Sequence, residues 1–476
     1  MRNIIVNSTK LLATLTIMFG GITGISFAQE PLPEEVRQTI YRRAMEAVIW
    51  GQPAEGMRGF IQATQRDLGG DWNDVIYFSQ PMTSRHGFLT ANNQTPYVIS
   101  SITTKNGPIV VDLPPASNNV KYFGSIIDAW QKPIADVGPF GDDQGKGGKY
   151  LLLPPDYQGK VPNGYIVYQP KTYSSYIGFR PVSDGNATAE EIITYAKQLQ
   201  IYPLAQADNP PATRYIDAYP KKWNTLPRYD LTYFEDIAWV INYEPVQERD
   251  LVMMGMLESL GIKKGQEFNP DPETREILET AVQDAYDYMQ WYFTTPGKGV
   301  SRYWENRQWG AFNIPKEQAD QGFPFSTENE LLLDTRAGAA YFYITFLPKK
   351  LGAGSFYLTG LRDSDGNLFD GQSLYKLNVP ADTPAGDFWS AIVYSMKTKG
   401  FIENSERVGL SSLDKQNLQF NEDGSVDIYF GANPPPGLES NWIPTGEDFF
   451  LLFRLYGPQK PLFEKTWQLP DVEKVN

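Results

Sequence analysis

The stretch "SNWIPTGEDFFLLFRLYGP", residues 440–458, decides how the whole chain is read. In an extended segment alternate side chains point to opposite faces, so Phe449, Leu451, Phe453 and Leu455 share one face and Phe450, Leu452, Arg454 and Tyr456 the other. Both faces are apolar apart from Arg454. Such a strand is covered on both sides, and a guanidinium carried into that layer needs a carboxylate or a place at the edge of a ligand site. The other strong central strand, "DFWSAIVYS", opens with Asp387 beside Phe388 and Trp389, while the "NWIP" loop puts Asn441 and Trp442 just upstream of the arginine. If the two strands are neighbours, Asp387 or Asp370 can accept a bidentate pair from Arg454, with Trp389 or Trp442 stacked on the guanidinium. That pair either closes one end of a sandwich or lines a groove for an acidic or hydroxylated ligand. Arg180, in "IGFRPV", is the corresponding arginine in the first half of the chain, with Asp128 as a partner.

Working outward, "NLQFNEDGSVDIYF" reads as a hairpin that sets Leu418 and Phe420 against Val426, Ile428 and Phe430 across an Asp423-Gly424 turn. From "NDVIYF" to "YIVYQP" short apolar runs are broken by Pro, Gly and Asn, which predicts mostly antiparallel strands. Helical spacing appears in "PLPEEVRQTIYRRAMEAVIW", predicting a helix over 34–50, in "ATAEEIITYAKQLQ" and in "EPVQERDLVMMGMLESLGI". It is clearest in "DPETREILETAVQDAYDYMQWYF", where Asp271 caps, Pro272 suits the first turn and Leu278, Ala281, Val282, Ala285 and Met289 line one face. The expected class is α+β and β-rich, with two antiparallel β-sandwich-like domains and a helical middle segment. The expected boundaries are a signal peptide at 1–28, an N-terminal helical segment at 29–72, a β-rich domain at 73–210, the helical middle at 211–336 and a C-terminal sandwich at 337–476. No internal repeat is legible in the residue pattern.

The chain has 476 residues and a net charge of −14. An acidic surface repels phosphate backbones and anionic lipids, and no Lys/Arg-rich run offsets it, so nucleic acid is not an expected partner. There is no Cys and one His, His86, which excludes thiol nucleophiles, iron–sulfur clusters, covalently attached haem and multi-histidine zinc or copper sites. No cofactor and no metal site are expected. Arg2 and Lys10 precede an apolar run from Leu11, and Ser26-Phe27-Ala28 precedes Gln29, the order of a secretory signal cleaved after Ala28. A membrane anchor is the competing reading, opposed by Gly20, Gly21, Thr23 and Gly24 within the run. The expectation is an exported protein, periplasmic or extracellular, without a transmembrane anchor after cleavage. Its 28 Tyr and 11 Trp suit either sugar-stacking surfaces or a β-rich core.

Two ordered sets of motifs carry a family resemblance. "NNQTPYVIS", "GPIVVDLP", "YFGSIIDAW", "GGKYLLLPPDYQGKVPNGY" and "GFRPV" resemble the domain-of-unknown-function family 1254. "DSDGNLFDGQSLYKLNVP", "DFWSAIVYS", "NEDGSVDIY", "NWIP", "FRLYGP" and "WQLP" resemble family 1214. One departure is Gln94, which stands before Thr95 where the first family has an aspartate. The resemblance implies β-rich domains, a cell-envelope or secreted placement and oligomerisation, and no known activity.

Among candidate residues, His86 is either a general base in a polar pocket or a strand-end histidine bonded to backbone, and no Gly-x-Ser-x-Gly elbow supplies it with a nucleophile. Asn92, Asn93, Thr95 and Tyr97 either bind the hydroxyls of a polar ligand or form an Asx turn that launches the strand "YVISSI". The loop "GPFGDDQGKGGKY" lacks P-loop spacing, and its Asp136, Asp142 and Asp143 read as a solvated acidic loop or a calcium site. "DSDGNLFDG" fails as an EF-hand, since Leu368 and Leu374 occupy the positions that need Gly and Glu. Three functions stay open: a binder of a polar, carbohydrate-like small molecule or glycan; a hydrolase or lyase acting on an envelope or extracellular polymer through carboxylate, tyrosine or His86 chemistry; and a structural homo-oligomer of the envelope.

Overall fold

The structure, a computed structural model, describes residues 31–183, 187–312, 325–343 and 355–475, so the expected signal segment lies outside the described residues. Helix α1 (Glu34–Leu68) starts where the sequence predicts but runs on through Pro53 to a left-handed Gly69, whose N–H caps Thr64. A proline inside a helix forfeits one backbone bond and normally ends it. Here residues 47–57 are buried without a break, and Gln131 Nε2 donates to the Pro53 carbonyl at 2.9 Å, so tertiary packing overrides the breaker.

The first half contains β1 (Val75–Tyr77), β2 (His86–Gly87), β3 (Val98–Thr103), β4 (Ile109–Leu113), β5 (Val120–Asp128), β6 (Pro133–Val137), β7 (Gly148–Leu152), β8 (Ile166–Tyr168) and β9 (Ser174–Ser183). Helix α2 (Ala189–Ala196) then leads to β10 (Gln200–Pro203), β11 (Tyr215–Asp217) and β12 (Trp223–Asn224). These strands form a six-stranded sheet, β11-β1-β3-β9-β5-β6, and a four-stranded sheet, β10-β4-β7-β8, while β2 pairs with β12. The helical middle holds α3 (Thr232–Tyr243), α4 (Leu251–Glu258) and α5 (Pro272–Thr294), the last capped by Asp271 as predicted. The second half contains β13 (Val300–Arg302), β14 (Gly310–Phe312), α6 (Leu333–Phe342), β15 (Ser355–Gly360), β16 (Leu374–Val379), β17 (Ala385–Ser395) and β18 (Gly409–Ser411). It closes with β19 (Val426–Gly431), β20 (Trp442–Pro444), β21 (Phe449–Pro458), α7 (Lys460–Phe463) and β22 (Glu473–Val475). Its sheets run β13-β14-β15-β21-β17-β18 and β20-β19-β16-β22. The protein is therefore mixed α+β with mostly antiparallel sheets and a helical middle. The hairpin expected around Asp423-Gly424 is absent, since β19 pairs with β16 and β20 instead.

The two halves share one plan. Counting from β3 and from β15, the central trio is β3-β9-β5 in one and β15-β21-β17 in the other, all antiparallel. The small sheets correspond strand for strand, β10-β4-β7-β8 with β22-β16-β19-β20, including the parallel pairs β7–β8 and β19–β20. Even the short helices match, α2 between β9 and β10 and α7 between β21 and β22. The chain is a structural duplication, which corrects the expectation of no repeat. Apolar substitution hides it from residue matching, because strands conserve a pattern of burial rather than particular side chains.

Each sandwich has its own interior. In the first, Val98, Ile102, Val111, Ile126, Ile177 and Phe179 meet between the sheets. In the second, Leu377, Val393, Phe430, Leu451, Phe453 and Leu455 do the same. The opposite parity of β21 enters a third core, where Phe450 and Leu452 join Ile392 and Tyr394 of β17, Tyr176 of β9, Phe60 of α1, Phe293 of α5 and Tyr341 of α6. This shared core is why both faces of the opening stretch are apolar.

Candidate anion site between the two sandwiches

The duplication places two arginines in equivalent positions. Arg454 lies on β21 opposite Tyr357 of β15 and Ser390 of β17. In the first sandwich Val98 opposes Phe179, so one step further Tyr97 faces Arg180, and Phe123 of β5 opposes it on the other side. The two tyrosine–arginine pairs meet across the domain boundary. The Arg180 guanidinium lies 5.2 Å from the Tyr97 ring, the Arg454 guanidinium lies 4.9 Å from the Tyr357 ring, and Arg180 Nη2 stands 3.5 Å from Tyr357 Oη. Tyr343 adds its ring 6.2 Å from that of Tyr357.

Arg454 does not pair with Asp387 or Asp370. Its Nη2 donates to the carbonyls of Thr90 (2.7 Å) and Ala91 (3.3 Å) in the first half of the chain. Among the described residues its Nε and Nη1 have no acceptor although the residue is only 1% exposed, and the buried hydroxyls of Ser390 and Thr90 are also without partners there. Among the described residues no carboxylate lies within ion-pair distance of Arg454 or Arg180. Two cations packed without a counter-ion are electrostatically costly, and the acidic groups that respond are the phenols. Burial pushes the Tyr357 phenol up, but Arg180 and then Arg454 outweigh it and bring the group down to about 7. Tyr456, where burial is the largest influence, moves the other way, up.

Asn92 fixes the approach of the two halves. Its Oδ1 accepts from Gln94 N–H at 3.0 Å, closing an Asx turn, while its Nδ2 donates to Thr95 Oγ1 (3.1 Å) and to Tyr456 Oη (2.8 Å). Tyr456 in turn stacks on Phe388 at 4.1 Å between ring centres. The structure thus gathers Asn92, Thr95, Tyr97, Arg180 and Arg454 from the sequence-derived candidates. The residues that sequence reasoning missed are Tyr343, Tyr357, Tyr456 and Ser390. The signal that would have found them is a shared motif, an aromatic strand start (Tyr97, Tyr357) paired with Phe-Arg on the last long strand (Phe179-Arg180, Phe453-Arg454).

The other candidates lie elsewhere. Trp389 is buried inside the second sandwich and stacks on Phe453, on the face away from Arg454. Asp387 is exposed at the bulged start of β17, next to Gly457. Asn441 clamps a loop, exchanging bonds with the Gln419 backbone at 2.8 Å each way, and Trp442 donates to Gly431 O. Asp370 accepts from Ser373 and Tyr375 beside Lys474. Asp128 is buried and caps its own turn, accepting from the N–H groups of Trp130 and Lys132, far along β5 from Phe123 and hence from Arg180. Asn93 accepts from Gln94 Nε2. His86 is 1% exposed, its Nδ1 accepting from Thr83 N–H and its Nε2 facing the carbonyls of Ala218 and Tyr219. Burial holds its imidazole below the ordinary value. Asp136 and Asp143 are tied to Ser125 and to Tyr150, and Asp363 caps the turn at Asp365 and Asn367. No cluster of potential metal ligands occurs among the described residues.

Fold and site together define a duplicated β-sandwich protein with a tyrosine–arginine cluster at the boundary of its halves. Residues 72–203 match the family described as "Protein of unknown function (DUF1254)" and residues 354–460 match "Protein of unknown function (DUF1214)", the first in the N-terminal and the second in the C-terminal half. The VPA0106 protein from Vibrio parahaemolyticus has a similar structure, with 17% identity, a TM-score of 0.53 and coverage of 92% of this chain and 100% of that one. A putative uncharacterised protein from Burkholderia cenocepacia aligns with 11% identity and a TM-score of 0.37, over 93% of this chain and 95% of its own. No curated protein matches the sequence.

Proposed function

We propose that the chain is an exported envelope protein that binds a small, hydroxylated, anionic molecule, carbohydrate-like and acid-bearing, between its two sandwiches. The observation that carries this reading is Arg454, a buried guanidinium that among the described residues has two unpartnered nitrogens and no carboxylate, with a second guanidinium across the boundary. A carboxylate accepts from both, as arginine forks favour planar oxyanions. Asn92, Thr95 and the phenols supply partners for hydroxyl groups. The basic, apolar and small-residue order of residues 1–28 supports export, and no helix among the described residues is long and apolar enough to cross a membrane.

The test is a thermal-shift and calorimetric comparison of galacturonate, glucuronate and mannuronate with their neutral parent sugars. Uronates raise the melting temperature and neutral sugars do not. Arg180→Gln and Arg454→Gln each weaken binding about 10- to 100-fold, the worth of one charged hydrogen bond. Equal binding of neutral and acidic sugars, or binding indifferent to both substitutions, overturns the reading.

A further inference from the structure

The two-arginine arrangement holds more than an anion-binding site requires. A single bidentate guanidinium suffices to hold a carboxylate, whereas here two converge from separate domains on one phenol, with Arg180 Nη2 3.5 Å from Tyr357 Oη and Arg454 4.9 Å from the Tyr357 ring. Doubling the positive charge has a specific chemical use. When a proton leaves the carbon next to a carboxylate, the carboxylate acquires a second negative charge, and that intermediate forms only where cations are already in place.

Resting on the binding reading above, we infer that Tyr357 is a catalytic base that removes the proton from the carbon bearing the carboxylate of a bound uronate-like acid, with Arg180 and Arg454 neutralising the resulting enolate. The Tyr357 phenolate forms an O–H bond as the C–H bond breaks, and the electron pair moves into the carboxylate. The pair then either takes a proton back at carbon, giving exchange or epimerisation, or expels the oxygen substituent at the next carbon, which leaves as hydroxide or alkoxide and is protonated by solvent. No oxidant, metal or further reactant is needed. The charged and titratable groups around the phenol are Arg180, Arg454, Tyr97, Tyr343 and Tyr456. The lowering of the Tyr357 phenol to about 7 puts a useful fraction in the basic form at neutral pH.

The experiment incubates the full-length mature chain with each uronate in D2O and follows loss of the proton at the carboxylate-bearing carbon by NMR, beside an absorbance titration near 295 nm that reports tyrosinate. Wild type is expected to exchange that proton, and Tyr357→Phe to do so at least about 100-fold more slowly while still showing a uronate thermal shift. Wild type is also expected to show one phenol ionising near neutral pH that Tyr357→Phe lacks. Should Tyr357→Phe fold poorly, Arg180→Gln is expected to move that ionisation to higher pH and slow exchange together. A uronate that shifts the melting temperature but exchanges no proton overturns the catalytic role and leaves the binding reading standing. No shift with any uronate overturns both, and a near-neutral tyrosinate that persists in Tyr357→Phe removes this residue as the base.

Discussion

Replacing Arg454 by methionine removes a buried charge while keeping a long, unbranched side chain, and the structure says what is lost with it. The bonds to Thr90 O and Ala91 O go, but Ala91 O still accepts from the Tyr394 hydroxyl, so only the Thr90 carbonyl loses its partner. A hydrogen bond from a charged donor is worth about 2 kcal/mol and the cation–π contact with Tyr357 about 1 kcal/mol. Against this, a desolvated ion without a counter-charge carries a penalty of several kcal/mol, here with two nitrogens unsatisfied. These terms cancel to within about 2 kcal/mol, so Arg454→Met is expected to change stability by less than about 2 kcal/mol in either direction. Uronate binding, which uses the lost charge, is expected to fall by about 30-fold or more. Urea denaturation followed by tryptophan fluorescence, with calorimetry on the same preparation, reads both quantities. A loss above about 4 kcal/mol would refute the reasoning, because it would make the guanidinium a structural tie between the halves rather than a charge held ready for a ligand.

Other consequences are as definite. The folded-state phenol of Tyr357 lies below its unfolded value, so its ionisation contributes stability that is present at alkaline pH and lost as pH falls through about 7. The stability difference between wild type and Tyr357→Phe should therefore grow in favour of wild type from about pH 7 to pH 10, and a flat difference would contradict the assignment. His86 is held neutral by burial, so stability should decline as pH drops below 6.5, where only the unfolded chain takes up the proton. His86→Gln should flatten that decline in acid-denaturation curves and leave uronate binding intact. At Gly138, with φ of 87°, an added Cβ would sit 1.8 Å from the Tyr122 carbonyl, so Gly138→Ala is expected to cost about 2–4 kcal/mol, measured by the shift in urea midpoint. Lys399 is buried, has no carboxylate partner among the described residues and donates to Gln290, Met396 O and Tyr341, and burial holds its amine well below the usual lysine range. Lys399→Met should be tolerated within about 1 kcal/mol, and a larger loss would show that this bonded cluster orders the α5–α6 contact.

The alternation in "DFFLLFRLY" was enough to announce a strand with two covered faces, and the capping Asp271-Pro272 enough to place α5. The sequence also picked out both arginines and the Asn92 turn. What it could not supply was the partner of Arg454: of the two carboxylates it offered, Asp387 sits exposed at a strand bulge and Asp370 in a turn that uses it locally. Backbone carbonyls leave no mark in a sequence, and Thr90 and Ala91 lie some 360 residues away. Trp389 and Trp442 drew attention as large aromatics near the arginine, yet strand parity turns Trp389 inward and a backbone bond occupies Trp442. The tyrosines that do surround the charge were hidden by their number, since 28 of them make any single one inconspicuous until the register is known.

Because the halves of the site come from two sandwiches that each own an interior, whatever occupies it acts as a thermodynamic rivet. The halves are joined through the shared core, Asn92–Tyr456 and the Arg454 carbonyl bonds, while each sandwich also has a core of its own. Under the proposed binding, an anion held by Arg180 and Arg454 ties the unfolding of one half to that of the other. Calorimetric scans that broaden or split without ligand should sharpen to one transition as it is added, and neither sandwich expressed alone should bind what the pair binds.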